Sequence, residues 1–195
     1  MEKKVAVLDL GTNTFNLLLA EMSIQGYRIF SSDKIPVKIG EGGINKGLIT
    51  SQAQKRAMNA IEDYAQRIKE EDIDIVYGYA TSAFRNAING IEIRDEIENA
   101  TGFDIKIISG DTEAKYIYYG VQEALNMGTT PSLIMDIGGG SVEMIIGDSK
   151  EIFWKKSFEI GAQRLLDGFH QVDPIPKEEI TRLESHFNKE LIELD

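Results

Sequence analysis

Short runs of apolar residues at the start of the chain predict three β-strands. The runs cover residues 5–8, 16–21 and 27–31, and the segments GTNT and SIQG join them. Their shortness and the turn residues between them are typical of an antiparallel meander. We therefore expect the chain to begin with three neighbouring strands.

A longer hydrophobic period in residues 51–70 predicts an amphipathic helix. Apolar side chains recur there at helical spacing. Their positions are Ala57, Ile61, Ala65 and Ile68. Ser51 and Gln54 have the spacing of a capping box, which satisfies backbone N–H groups in the first turn, so we expect the helix to begin there.

Strand and helix patterns then alternate through the middle of the chain. We expect a strand at 73–81, one or two helices ending at Gly102, and another strand at 103–109. A helix with two acidic residues in its first turn should follow at 111–128. This alternation implies a sheet with helices packed against it.

The first hairpin is repeated later in the chain. Residues 8–21, LDLGTNTFNLLLAE, align without a gap on residues 135–148, MDIGGGSVEMIIGD, at an offset of 127. An internal duplication of this kind predicts two related lobes. The matched pairs include Asp9 with Asp136, Gly11 with Gly138, Thr14 with Ser141, and Glu21 with Asp148.

The boundary between the two lobes is expected in the segment NMGTTPS. Its glycine, threonines and proline interrupt regular structure between the two repeats. We therefore assign residues 1–126 to the first lobe and residues 127–195 to the second lobe.

Each copy contains a strand, an acid, a tight turn of glycine and hydroxyl residues, and a second strand. Backbone N–H groups in such a turn converge on phosphate oxygens, and small residues let a phosphate group approach. Three consecutive glycines need either positive φ angles or a very close approach of another group. For one copy alone, a plain hairpin turn is the alternative. The candidate phosphate-binding residues are Gly11, Thr12, Asn13, Thr14, Gly138, Gly139, Gly140 and Ser141.

Composition narrows the classes of partner. The 32 acidic and 21 basic side chains give a net charge of −11, which disfavours nucleic acid or an anionic membrane as a partner. Cysteine is absent, which excludes disulfides and thiolate metal sites and fits the reducing cytoplasm. Asp9 interrupts the apolar start and no apolar run approaches about 20 residues, so we expect neither a signal peptide nor a membrane helix. A cytoplasmic protein is therefore expected.

Four segments resemble known protein families. DLGTNTFNLLLAE (9–21) and DIGGGSVEMIIG (136–147) resemble the actin-like ATPase superfamily, which includes acetate and sugar kinases, actin and heat-shock chaperones. IISGDTEAKYIYYGV (107–121) and YATSAFRNAIN (79–89) resemble the exopolyphosphatase and guanosine pentaphosphate phosphohydrolase (Ppx/GppA) family. The resemblance implies an α/β fold of duplicated ribonuclease H-like lobes with a mixed five-stranded sheet and helices.

The same resemblance implies that the second lobe is incomplete. Members of the family continue well past 195 residues and are expected to form homodimers through the later regions. The last predicted helix also carries an apolar face with nothing C-terminal to cover it. The simplest interpretation is a fragment or an incomplete lobe. The residues of that face are Ile180, Leu183, Phe187 and Leu191.

Roles for individual residues follow from the resemblance. Glu113, in SGDTEA, matches the general base of the family, and Arg85 matches the family arginine that binds phosphate. Thr112 stands where the family commonly has a further glutamate, and Asp111 lies one position earlier. If the missing acid assists metal binding or raises the pKa of the base, we expect a different activity or pH optimum. The acids that match the family's magnesium ligands are Asp136 and Glu143, with Asp9 as the equivalent in the first lobe.

Each of these residues also has a plain structural interpretation. Glu113 could complement the helix dipole, Glu143 could be an exposed strand residue, and Arg85 could be a solvated helix residue. Scattered bases on an acidic protein usually lie on the surface and receive no role here. Those bases are Lys38, Arg56, Lys115 and Arg164.

The resemblance implies a hydrolase for phosphoanhydride bonds. Its expected substrates are inorganic polyphosphate and guanosine pentaphosphate, with Mg²⁺ or another divalent cation as the cofactor. A small-molecule kinase of the same superfamily is one alternative, although its adenosine pocket would need later parts of the second lobe. A phosphate- or alarmone-binding module with weak catalysis is the other alternative.

Overall fold

A computed structural model of the chain describes residues 3–194 and divides into two compact units between Ile107 and Ile108. This division comes before the helix at 110–124, whereas the sequence suggested a lobe boundary after residue 126. The assignment of the duplicated lobes to 1–126 and 127–195 stays a prediction.

The first unit is built on a five-stranded sheet. Its strands are β1 (Lys3–Leu10), β2 (Phe15–Ser23), β3 (Gly26–Ile35), β4 (Ile75–Ala80) and β5 (Ile105–Ile107). Its helices are α1 (Ser51–Glu70), α2 (Ser82–Asn86) and α3 (Gly90–Thr101), with a short 3-10 turn at Ile44–Lys46. The strand order is β3-β2-β1-β4-β5.

The sheet is mixed, as the sequence predicts. β1, β2 and β3 form the expected antiparallel meander, whereas β4 pairs in parallel with β1 and with β5. Parallel neighbours need a crossover connection, and the helices between β3 and β5 provide it. The predicted α/β fold class is therefore confirmed.

One face of this sheet carries the core of the first unit. Ala6, Leu8 and Leu10 alternate along β1 and are fully buried, together with Ile61 of α1 and Ile97 of α3. Side chains of the other parity, including Asp9, consequently project from the opposite face. The alternation thus places Asp9 outside the core.

Helix α1 spans the residues that the sequence predicts, but its N-cap lies one residue earlier than expected. Thr50 is the N-cap, and its side chain accepts a hydrogen bond from the N–H of Ala53 at 3.2 Å. The predicted capping box of Ser51 and Gln54 is therefore wrong, because Thr50 already supplies the oxygen that the first turn needs. Gly102 ends α3 in the left-handed conformation, with φ at 73°, as predicted.

The second unit contains a three-stranded antiparallel sheet in the order β6-β7-β8. The strands are β6 (Ser132–Ile137), β7 (Val142–Gly147) and β8 (Ile152–Phe158). The helices are α4 (Gly110–Ala124), α5 (Ala162–Phe169) and α6 (Lys177–Glu190), followed by a 3-10 turn at Ile192–Leu194. Among the helices of residues 3–194, none combines the length and the apolarity that crossing a bilayer requires.

The central strand β7 is covered on both faces. Ile145 packs with Ala114 and Tyr118 of α4, whereas Val142 belongs to a cluster with Phe158 on the other face. Such two-sided burial explains why the sequence of β7 is a nearly continuous apolar run.

The apolar face of α6 is partly covered, which corrects an expectation. Phe187 and Leu191 pack against the cluster that contains Val142 and Phe158. Ile180, near the start of the helix, remains 40% exposed. The second unit itself therefore shields one end of the stripe that the sequence suggested was bare.

Candidate active site

The two predicted turns share one backbone geometry. In each turn the first residue donates its N–H to the carbonyl oxygen of the fourth, Gly11 to Thr14 and Gly138 to Ser141, both at 3.0 Å. The strands on either side also pair at equivalent positions, because the register joins Asp9 to Asn16 and Asp136 to Glu143. The repeat seen in the sequence is thus repeated in the backbone.

The three carbonyl groups of the triple-glycine turn all accept hydrogen bonds from main-chain N–H groups on one side of the turn. The N-terminus of α5 and the residue before it supply the donors. These bonds run from Ala162 N to Gly138 O at 2.9 Å, from Gln163 N to Gly139 O at 2.8 Å, and from Gly161 N to Gly140 O at 3.3 Å. In contrast, within the described chain the N–H groups of Gly139 and Gly140 donate to no protein acceptor. Unused amides in a tight turn are suited to binding an anion.

Close approach explains the need for glycine around this turn. A Cβ atom on Gly161 would lie 2.4 Å from the carbonyl carbon of Gly140, and a Cβ atom on Gly138 would lie 3.0 Å from the carbonyl oxygen of Ser141. The positive-φ glycines of residues 3–194 lie elsewhere in the chain. Positive φ is therefore not the reason for the glycines of this turn, and close approach is the reason at Gly138 and Gly161.

The first turn is also supported from behind, by the loop after β3. Lys38 N donates to Asn13 O at 2.8 Å, and Gly40 N donates to Thr12 O at 3.2 Å. The Thr12 hydroxyl and the Asn13 side-chain oxygen are buried and have no hydrogen-bond partner among residues 3–194. A buried polar atom without a partner costs about 1–3 kcal/mol, so a ligand that pairs with these atoms would recover that cost.

Asp9 and Arg85 lie at the same edge of the first sheet. Asp9 is exposed, and the Asn16 side chain donates to its carboxylate at 3.0 Å. Arg85 is half-buried on α2, which follows β4 directly, and the N–H of Thr81 donates to Leu10 O at 3.3 Å. The carboxyl ends of parallel strands are where open α/β sheets bind ligands.

Asp136 and Glu143 form a cross-strand pair on one face of the second sheet. Asp136 is exposed, whereas Glu143 is only 1% exposed. The Ser157 hydroxyl, on β8, donates to Oε1 of Glu143 at 2.6 Å. The alternative that Glu143 is an exposed strand residue is therefore wrong, since β7 is the central strand of its sheet.

Glu113 lies half-buried in the first turn of α4. Asp111, in the same turn, forms an ion pair with Lys155 of β8. Further along α4, the Tyr118 hydroxyl donates to Asp148 O at 2.7 Å, just beyond the far end of β7. The first turn of α4 therefore lies toward the N-terminal end of β7, which holds Glu143 and follows the glycine turn.

Thr112 has a structural role at the start of α4. The Ser109 side chain is the N-cap and accepts from the N–H of Thr112 at 3.2 Å. The two hydroxyl oxygens are also 3.0 Å apart. Thr112 therefore occupies the position from which a glutamate would complete a capping box.

The carboxylates of the second unit fit a divalent cation. Like charges placed directly opposite each other destabilise a sheet, and a cation offsets that repulsion for Asp136 and Glu143. Mg²⁺ is commonly bound by one or two carboxylates together with substrate phosphates and water. In residues 3–194, no group of three or more His, Cys, Asp or Glu side chains is assembled for a metal, so water or substrate would supply the other ligands.

The structure adds residues that the sequence did not suggest. Ser157 contacts a candidate metal ligand, but a single serine in KKSF carries no recognisable motif. Thr81 and Ser82 are buried polar residues where β4 leads into α2, next to the end of β1. Their position between a strand and a helix was the one signal that could have identified them.

Comparisons with known proteins agree with the geometry. The model of the Ppx/GppA phosphatase family matches residues 19–195. A guanosine-5'-triphosphate,3'-diphosphate pyrophosphatase of Pseudoalteromonas translucida is 32% identical over 167 residues, covering 84% of this chain and 33% of the relative. Exopolyphosphatase 1 of Mycobacterium bovis is 27% identical over 191 residues, covering 97% of this chain and 56% of the relative.

A solved structure shows the same similarity. The crystal structure of an exopolyphosphatase from Cytophaga hutchinsonii is 40% identical, with a TM-score of 0.94 over 98% of this chain and 62% of that chain. The chain thus spans less than two thirds of the length of each of these three proteins. With a family model that matches most of its residues, the chain belongs to the Ppx/GppA phosphatase family.

Proposed function

We propose that this chain carries the phosphate-binding part of a hydrolase that releases terminal phosphate from inorganic polyphosphate, and also from guanosine pentaphosphate. The observation that carries the proposal is the pair of turns with unused donors. In the part of the chain that the structure describes, the amides of Gly139 and Gly140 and the hydroxyl of Thr12 have no acceptor. The names of the relatives from Pseudoalteromonas translucida and Mycobacterium bovis support this substrate class.

Each turn is proposed to bind one phosphate group. In the first unit these residues are Gly11, Thr12, Asn13 and Thr14, and in the second unit they are Gly138, Gly139, Gly140 and Ser141. Because the net charge of −11 does not attract an anion, phosphate must be held by local donors, and main-chain N–H groups supply them. Arg85 is proposed to hold a further phosphate oxygen through its planar guanidinium.

Glu113 is proposed to orient the attacking water and to accept its proton. The water oxygen bonds to the terminal phosphorus, the bridging P–O bond breaks, and the products are phosphate and a chain one unit shorter. A carboxylate in the first turn of a helix also lies where the helix dipole interacts favourably with negative charge. An ionised carboxylate is the form that a general base requires.

Asp136 and Glu143 in the second unit, with Asp9 as the equivalent acid of the first unit, are the proposed ligands for Mg²⁺ or another divalent cation. When bound, such an ion neutralises negative charge on the phosphate oxygens. Ser157 fixes one carboxylate oxygen of Glu143 by its hydrogen bond. The cytoplasmic location and the homodimer stay predictions.

A phosphate-binding module with weak catalysis is the second candidate. Thr112 favours it, because this residue replaces an acid beside Glu113 and is engaged with the helix cap. Such a module would use the same turns and bind the same anions. It would release little or no phosphate.

Phosphate release from long-chain polyphosphate with Mg²⁺ tests the proposal. We expect release by this chain and its loss in Glu113→Gln, with Glu123→Gln as the control, since Glu123 is an exposed acid of the same helix. Binding of polyphosphate without release would support the module instead. Release that survives in Glu113→Gln would overturn the role of Glu113.

A further inference from the structure

We propose that Arg56 and Arg164 are positioning residues, each holding one phosphate turn from behind through hydrogen bonds to main-chain carbonyl groups. From the sequence, both residues were interpreted as surface bases without a role. The proposal depends on the proposed function only for the ligand used in its second readout.

Arg56 secures the loop that supports the first turn. Its Nε donates to Val37 O at 2.7 Å, and its Nη2 donates to Lys38 O at 2.8 Å. The N–H of Lys38 in turn donates to Asn13 O in the turn itself. A chain of hydrogen bonds therefore connects α1 to the turn through main-chain atoms.

Lys38 has a backbone conformation that needs such support. Its φ is 50°, in the left-handed region that is unfavourable for a side chain other than glycine. Such a conformation persists only where the surrounding structure fixes it. The guanidinium of Arg56, bonded to the carbonyl groups of Val37 and Lys38, provides that constraint.

Arg164 has the corresponding position in the second unit. Its Nε donates to Gly140 O at 3.1 Å, and its own N–H donates to Gly139 O at 3.3 Å. The side chain is 17% exposed. These bonds keep the two carbonyl groups turned toward α5, so the N–H groups of Gly139 and Gly140 remain available on the other side.

Each of these arginines also has an acidic partner that offsets its charge. Arg56 pairs with Glu41 at 3.0 Å, and Arg164 pairs with Glu159 at 2.6 Å. Paired cations attract a distant anion weakly, so long-range attraction is a poor account of these residues. The fixed fork of the guanidinium, which lysine lacks, is what bonding at several points requires.

Lysine variants separate geometry from charge. We would prepare Arg56→Lys and Arg164→Lys, with Arg94→Lys as the matched control. Arg94 also donates to a main-chain carbonyl, that of Ile105 at 3.2 Å, and its carbonyl partner lies outside both turns. All three variants keep the net charge of the chain.

The first readout is the ¹⁵N–¹H spectrum and amide hydrogen exchange of the unliganded chain. We expect Arg56→Lys to shift the amide signals of Thr12 and Asn13, and Arg164→Lys to shift those of Gly139 and Gly140, with at least threefold faster exchange. Arg94→Lys should leave both sets unchanged. If the signals of both turns remain as in the parent chain, the proposal is overturned.

The second readout is calorimetric titration with inorganic tripolyphosphate. We expect each turn variant to bind at least fivefold more weakly than Arg94→Lys, at comparable thermal stability. Unchanged affinity in both variants would contradict a positioning role. If the parent chain does not bind tripolyphosphate but the spectral shifts appear, the positioning inference stands and the proposed function fails.

Discussion

Ser157 donates a hydrogen bond from Oγ to Oε1 of Glu143 across 2.6 Å, from the strand that neighbours the acid. The acid is almost completely buried, so this bond replaces solvation that the carboxylate has lost. The hydroxyl also helps to fix the orientation of the carboxylate group. A candidate metal ligand is therefore oriented by a residue of no evident motif.

Ser157→Ala should weaken both the fold and cation binding. A buried carboxylate that loses a donor costs about 1–3 kcal/mol, so we expect the free energy of unfolding in urea to fall by that amount. Mg²⁺ affinity, measured by calorimetry, should fall by about tenfold, as is usual when a ligand loses its supporting bond. Ser185→Ala is the control, because Ser185 bonds only within α6, and it should change neither quantity. Equal effects of the two variants would refute the role of Ser157.

Glycine substitutions should have opposite effects at two positions. Gly161→Ala places a Cβ atom 2.4 Å from the main chain of Gly140, so α5 or the turn must move, and we expect a loss of about 2 kcal/mol or more. Gly120 lies within α4 with open space around it, and Gly120→Ala should raise stability by about 0.5–1 kcal/mol. Thermal unfolding of both variants checks this pair. If Gly161→Ala leaves the unfolding temperature unchanged, the turn has space for the added Cβ atom and the prediction is wrong.

Alkaline pH should destabilise the first unit through Tyr64. Burial, with the charge of Asp33, raises the pKa of Tyr64 from 10.0 to about 12. The unfolded chain therefore loses this proton at a lower pH than the folded chain, so the stabilisation present below pH 10 is lost as pH rises toward about 12. Unfolding in urea across this interval should show the decline, and Tyr64→Phe should reduce its slope. The same slope in both proteins would assign the decline to other groups.

Restoring an acid at position 112 should alter the pH dependence of catalysis. In Thr112→Glu the new side chain can complete a capping box with Ser109 and adds a negative charge beside Glu113. A neighbouring negative charge raises the pKa of a carboxyl group. We therefore expect the acidic limb of the pH–rate profile for phosphate release to move upward by about half a unit or more. Thr112→Gln, which caps without the charge, should leave the limb in place.

The hairpins and the long helix could be predicted from the spacing of hydrophobic residues. The duplication could be predicted from the gapless alignment of the two hairpin segments. The alignment of Asp9 with Asp136 persists in the structure as equivalent positions in two hairpins. The helix cap was misplaced by one residue, since Thr50 and Ser51 are both good cap residues and the backbone decides between them.

Contacts between distant segments could not be predicted from the sequence. The bond from Ser157 to Glu143 depends on the register of β8 against β7, which a single sequence does not report. Arg56 and Arg164 looked like surface residues because a main-chain carbonyl partner leaves no pattern of side chains. The support that α5 gives to the glycine turn could not be predicted for the same reason, since it also uses main-chain atoms.

The most direct test of the account is a crystal structure of this chain with tripolyphosphate and Mg²⁺. We expect phosphate oxygens about 3 Å from the N–H groups of Gly139 and Gly140, and a phosphate oxygen at that distance from the Thr12 hydroxyl. A tripolyphosphate bound elsewhere, with these three donors hydrated or turned toward protein atoms, would contradict it.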